Sequence, residues 1–182
     1  MSTHHQPALS ALPHLAEISL ADRSDRARDL GDESQMVYLH PGQLFVSAVP
    51  CAITTVLGSC VSVCLYDVER GIGGANHFLL PHGGTRTDEP LRCGASAIEA
   101  LLQRVLDLGA RRHKLAAKVF GGAHVLQAMH SDRYHLGTAN VDIARSVLSA
   151  ERIPVLAEDV GGIRGRKLRF VTSDGSAWVR EI

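Results

Sequence analysis

A thiol and an imidazole that can share one proton are enough for acyl chemistry, and this chain carries such a pair. Cys60 ends the segment TTVLGSC, and His77 ends GGANH. A cysteine with an ordinary pKa of roughly 8.5 is mostly protonated at neutral pH. A neighbouring histidine takes that proton, stabilises the thiolate as an ion pair and later protonates a leaving amine. The segments on either side of VERG are rich in Val, Leu, Ile and Phe, so they read as a β-hairpin. With the turn centred between Val68 and Glu69, Cys60 falls opposite His77. Such partners share a face, with Cβ atoms roughly 4.5–5.5 Å apart. A slip of one residue would send them to opposite faces, so the register is decisive.

The surroundings suit the same chemistry. Gly58 permits an unusual turn just before Cys60. That turn can aim the Cys60 amide, and a neighbouring one at Gly58 or Ser59, at a developing oxyanion. Gly73 and Gly74 leave room for a substrate beside the strand. A third group must hold the imidazole in the right tautomer. Thr54 and Thr55 both lie on the approach to Cys60, and spacing does not choose between them. A turn-forming role for Ser59 is favoured over direct donation by its hydroxyl.

Simpler readings apply to the remaining candidates. Cys51, Cys64 and Cys93 read as packing residues, free thiols in a reducing compartment. A metal site from Cys60, Cys64, His77 and Cys93 matches no standard zinc spacing, so no metal and no cofactor are expected. His4 and His5 read as solvated tail residues. Asp159, Arg164 and Arg166 flank a glycine-rich turn, where solvated charges are the default. Phe120-Gly121-Gly122 reads equally as a substrate-side loop or as a close packing contact.

The elements that must position the pair can be read from periodicity. Residues 1–35 mix His, Pro, Ser, Asp and Arg without sustained pattern and read as a flexible extension. A single domain is expected over 36–182. It begins with two short strands about Pro41-Gly42, followed by the hairpin. Ile98, Leu101, Leu102, Val105 and Leu108 keep helical spacing, with Gly109 at the helix end. LAAKVF reads as a strand, and a second helix is expected over Val141–Ala150 with Asn140 as its N-cap. IPVLAED and a final hairpin about Asp174-Gly175 close the chain. This order is not a strict β-α-β alternation, so an α+β domain with mostly antiparallel or mixed strands is expected.

Bulk properties exclude several classes. The 182 residues carry 45% hydrophobic and 21% charged side chains, a globular composition. Lys and Arg together equal Asp and Glu, so there is no electrostatic case for nucleic acid. No apolar run approaches the roughly 20 residues that span a bilayer, and the N-terminus lacks signal-peptide character. A cytoplasmic protein is expected.

At these residues the sequence resembles the CheD family, the chemoreceptor glutamine deamidases. TTVLGSCVSVCLYD followed by GGANHFLLP is similar to the family's central signature. The likeness continues through LAAKVFGGA, LGTANV, IPVLAEDVGGIRGRK and the last hairpin, from about Val37 to Ile182. The resemblance implies a layered mixed β-sandwich flanked by helices, similar to toxin deamidase domains. It implies Cys60 as nucleophile, His77 as base, and Thr54 rather than Thr55 as the third residue. The implied reaction converts receptor glutamines to glutamate through a cysteine thioester. The implied partners are chemoreceptor cytoplasmic domains and a CheC-type phosphatase, without membrane insertion. An adaptor that chiefly stimulates such a phosphatase is the alternative, and a cysteine protease or transferase is a third. His124, Ala139 and Cys93 depart from the family pattern, and none of them belongs to the implied triad.

Overall fold

The computed structural model describes residues 35–82, 89–124 and 136–182. The extension expected over residues 1–35 lies, apart from Gln35, outside the described residues. Glu33–Ile182 groups as one compact unit. Its strands are β1 (Gln35–Tyr38), β2 (Gln43–Ser47), β3 (Cys51–Leu57), β4 (Val61–Asp67), β5 (Ile72–His77), β6 (Ala116–Gly121), β7 (Val155–Val160), β8 (Arg166–Val171) and β9 (Ala177–Glu181). Its helices are α1 (Gly94–Asp107) and α2 (Leu136–Ala150).

The strands form two sheets, ordered β1-β3-β8-β9 and β2-β5-β4-β6-β7. The β1–β3 and β6–β7 pairs are parallel, and the remaining neighbours are antiparallel. Strand β4 explains the layering. All seven of its residues are buried, as in a strand covered on both faces. Val61, Val63 and Leu65 point to Ile98, Leu101 and Val105 of α1 and to Val141 and Leu148 of α2. Cys64 and Tyr66 point the other way, to Ile53, Leu57, Leu168 and Phe170 of the first sheet. The result is sheet, sheet, helices: the expected layered α+β sandwich, with both helices on one side.

The expected register of the β4–β5 hairpin requires correction. Cys64 pairs with Ala75, Asp67 with Ile72, and an outlying bridge joins Val61 to Phe78. His77 therefore stands opposite Ser62, two residues from the expected partner Cys60. The loop is Val68–Gly71, centred one residue later than its composition suggests. Asp67 sets it: its carboxylate accepts from the Glu69 amide at 3.1 Å and the Arg70 amide at 3.3 Å. Gly71 closes the loop at φ +65°. Because the slip is even, side-chain parity survives, and Cys60 and His77 still face the inter-sheet layer.

Two further expectations are refined. The strands about Pro41-Gly42 form, but they enter different sheets rather than pairing with each other. Helix α2 starts at Leu136, so Asn140 is a buried interior residue and not an N-cap. Gly137 explains the misreading, since glycine is a poor helix former. Here a Cβ on Gly137 would lie 2.3 Å from the Gly122 carbonyl oxygen, so nothing larger fits.

Candidate active site

Strand alternation in β3 decides which threonine reaches the histidine. Ile53, Thr55 and Leu57 face the second sheet, and Thr54 faces away. The Thr55 hydroxyl lies 2.8 Å from His77 Nδ1 and 2.7 Å from the Leu39 carbonyl. A hydroxyl has one hydrogen, and a carbonyl can only accept. Thr55 therefore donates to Leu39 and accepts from His77 Nδ1–H. That fixes the tautomer: the proton sits on Nδ1, and Nε2 carries the free lone pair. Nε2 is buried and has no hydrogen-bond partner among the described residues.

Thr54, which the family resemblance favoured, is not brought to the imidazole. Its hydroxyl donates to the Leu168 carbonyl at 2.9 Å across the β3–β8 ladder. The geometry thus gives the orienting place to Thr55. Thr55→Val should reduce turnover roughly ten- to a hundredfold, the worth of one buried hydrogen bond to a group that becomes charged. Thr54→Val should leave turnover near the parent value and lower the melting temperature slightly. Steady-state rates of the two variants, measured side by side, check the assignment.

Cys60 sits where the chain crosses from β3 in one sheet to β4 in the other. Among the described residues, the hydrogen bonds that hold the crossing turn are made by its carbonyls. The Gly58 carbonyl accepts from the Ala123 amide and the Cys60 carbonyl from the Gly122 amide, each at 2.8 Å. The Ser59 carbonyl accepts from Asn140 Nδ2 at 2.9 Å. Among the described residues, the amides of Gly58, Ser59 and Cys60 donate to no other residue. With the Gly58 and Ser59 carbonyls turned away, the Ser59 and Cys60 N–H groups of the same peptides point the opposite way and are left to meet an anion, as an oxyanion hole requires. Gly58 and Ser59 lie in this turn, directly before Cys60.

The close approach rests on glycine. Gly121 adopts φ +109°, and a Cβ there would lie 2.2 Å from the Cys60 carbonyl oxygen. Phe120-Gly121-Gly122 is therefore a packing contact that seats the Cys60 turn. Arg166, expected to be solvated, is only 4% exposed. It donates to the Asp159 and Gly161 carbonyls and to the Asp159 carboxylate. Gly161 in turn donates to Gly121 at 2.9 Å, so this arginine braces the same corner. Asn140, Gly137 and Arg166 were not legible as site residues. The motifs LGTANV and GGIRGRK drew notice, but their spacing does not reveal a contact with residues 58–60.

Electrostatics favour a neutral pair at rest. Burial pushes the His77 imidazole down to about 4; the Leu39 carbonyl offsets part of that, and His40 adds to it. Burial also pushes the Cys60 thiol up, against smaller opposing effects of its own backbone amide and the Arg92 charge. Both shifts disfavour the ion pair expected from sequence and favour an uncharged thiol and imidazole at rest. Cys51, Cys64 and Cys93 are buried free thiols, as expected of packing residues. Among the described residues, no group of three or more His, Cys, Asp or Glu is arranged to hold a metal ion.

Comparison with known proteins gives the chain's family. The family profile described as "CheD chemotactic sensory transduction" matches residues 79–181. The matched stretch begins beyond His77, so Cys60 and His77 rest on the geometry. The chain is 52% identical over 152 residues to the "Probable chemoreceptor glutamine deamidase CheD 1" of Anaeromyxobacter dehalogenans, covering 84% of this chain and 88% of that protein. It is 42% identical over 157 residues to the "Probable chemoreceptor glutamine deamidase CheD" of Stenotrophomonas maltophilia, covering 86% and 78%. The Burkholderia orbicola protein of the same name is 41% identical over 150 residues, covering 80% of this chain and 60% of that protein. Among solved structures, the Bacillus licheniformis hypothetical protein YfiH is similar at a TM-score of 0.39 and 16% identity, covering 63% of this chain and 49% of that one. The sequence relatives and the profile match over most of the domain establish that the chain belongs to the CheD family.

Proposed function

We propose that this protein deamidates glutamine side chains of chemoreceptors, with Cys60 as nucleophile and His77 as general base and acid. The observation that carries the mechanism is the fixed tautomer of His77. Its Nε2, without a hydrogen-bond partner among the described residues, lies on the face that Cys60 shares, and the amides of Ser59 and Cys60 in the adjoining turn donate to no other described residue.

The Cys60 proton passes to His77 Nε2 as Sγ attacks the side-chain amide carbon. The carbonyl electrons move onto oxygen, and the free amides receive the oxyanion. The imidazolium returns its proton to the leaving nitrogen, the C–N bond breaks, and ammonia departs. A thioester remains. His77 takes a proton from water, hydroxide adds to the thioester carbon, and collapse breaks the S–C bond. The thiolate recovers its proton from His77, and glutamate leaves as a carboxylate. Each turnover adds one negative charge to the receptor. The names of the relatives support this substrate.

A CheC-type phosphatase is proposed as a second partner on the family resemblance alone. No described helix is long and apolar enough to cross a membrane. We place the reaction in the cytoplasm, with the receptor's cytoplasmic domain as substrate. Incubation with a receptor cytoplasmic fragment should release ammonia and add about one dalton per modified glutamine. Unchanged receptor mass with folded protein would refute the activity, and cleaved peptide bonds would point to a protease.

A further inference from the structure

Asn140 lies inside α2. It is fully buried. Its Nδ2 donates to the Ser59 carbonyl at 2.9 Å and to the Leu79 carbonyl at 2.8 Å. Ser59 immediately precedes Cys60, and Leu79 follows His77 by two residues. One side-chain amide therefore ties the turn that carries the thiol to the strand end that carries the imidazole.

The orientation of that amide is forced. Both neighbours are carbonyl oxygens, so the NH2 end must face them. The Oδ1 end is buried with no hydrogen-bond partner among the described residues. An orphaned acceptor opposes stability. An apolar side chain would avoid that orphan, but it would leave two carbonyls without a donor at this junction. The rest of α2 is shaped to bring Asn140 in. Gly137, one turn earlier, meets Gly122 backbone with no room for a Cβ, and Val141 packs on Gly122. Gly122 and Ala123 then hold the carbonyls of Cys60 and Gly58.

We propose that Asn140 is a positioning residue: it sets the separation of Cys60 from His77 and turns the Ser59 peptide so that neighbouring amides face the substrate. This rests on the cysteine-histidine mechanism above. Asn140 touches neither substrate nor reacting atoms and acts through the two peptides it joins.

Two variants test it. Asn140→Asp keeps size and removes both donors, and Asn140→Leu removes the donors without adding charge. With receptor fragment as substrate, each should lower kcat about tenfold or more, with KM changed far less. A second readout needs no substrate. Loosening the turn relieves the burial that holds the Cys60 thiol up, so iodoacetamide should alkylate Cys60 severalfold faster at pH 8. Cys51, Cys64 and Cys93 should stay unmodified by intact mass. Faster labelling with slower turnover is the signature of misplacement. Parent-like kcat and parent-like labelling in both variants would overturn the proposal. Modification of all four cysteines together would overturn it too, because the role would then be structural. Should the parent protein itself fail to deamidate receptor, the activity reading fails, and the labelling comparison still decides whether Asn140 sets the Cys60 turn.

Discussion

Cys60→Ala should remove receptor deamidation, by roughly 10⁴-fold or more, because nothing else at the turn can form the thioester. The fold should survive. Cys60 is partly exposed and only borders the inter-sheet core, so its truncation should cost about 1 kcal/mol or less. Cys60→Ser should be nearly as inactive. Its hydroxyl is far less acidic than a thiol, and the neutral His77 that suffices for sulfur is a weak base for it. Cys64→Ala supplies the control. Cys64 shares strand parity with Cys60 and is fully buried among Leu57, Phe120 and Leu168. Its removal should lower the melting temperature and leave turnover intact, since burial holds its thiol up at about 12. Ammonia release and thermal melts on the three variants separate chemistry from packing. Ammonia release by Cys60→Ala within tenfold of the parent rate would sink the thioester mechanism.

The hairpin was readable because apolar runs and a turn leave a local signature. Its register was not, because register was set by one side chain, Asp67, gathering two amides of the loop. Cys60 and His77 keep a common face only because the shift in register is even. Thr55 shows a different limit. Adjacent threonines on a strand differ only in the face they present, and the facing sheet, β2-β5-β4-β6-β7, gathers strands from Gln43 to Val160. No local pattern around Thr54-Thr55 says which face will meet His77. Asn140 differs from its expected capping role for a related reason. Asparagine before an apolar periodic run usually caps a helix. Here the helix begins a turn earlier, at a Leu-Gly pair whose glycine reads as a breaker but serves a backbone contact. Local chemistry was visible in sequence; contacts that close between distant segments were not.

His77 is the residue whose loss should show most about the mechanism. His77→Ala should lower turnover by roughly 10³- to 10⁴-fold. The Cys60 thiol loses its proton acceptor, and ammonia loses its proton donor. The pH profile of the parent should carry the same signature. Activity requires one proton shared by thiol and imidazole, so the limbs belong to the pair. On the acid side, protonating the imidazole removes the base, and burial holds that loss down near pH 4. On the alkaline side, ionising the thiol removes the proton that ammonia needs, and burial holds the Cys60 thiol above its ordinary value. The profile of kcat/KM should therefore be flat across neutrality and fall only toward either extreme. Iodoacetamide distinguishes this from a resting ion pair, because it reports the thiolate. Cys60 should label slowly at pH 6–7 and faster with rising pH. Rapid labelling that is constant from pH 5 to 8 would mean that the thiolate is already formed at rest, and that His77, buried or not, carries the proton.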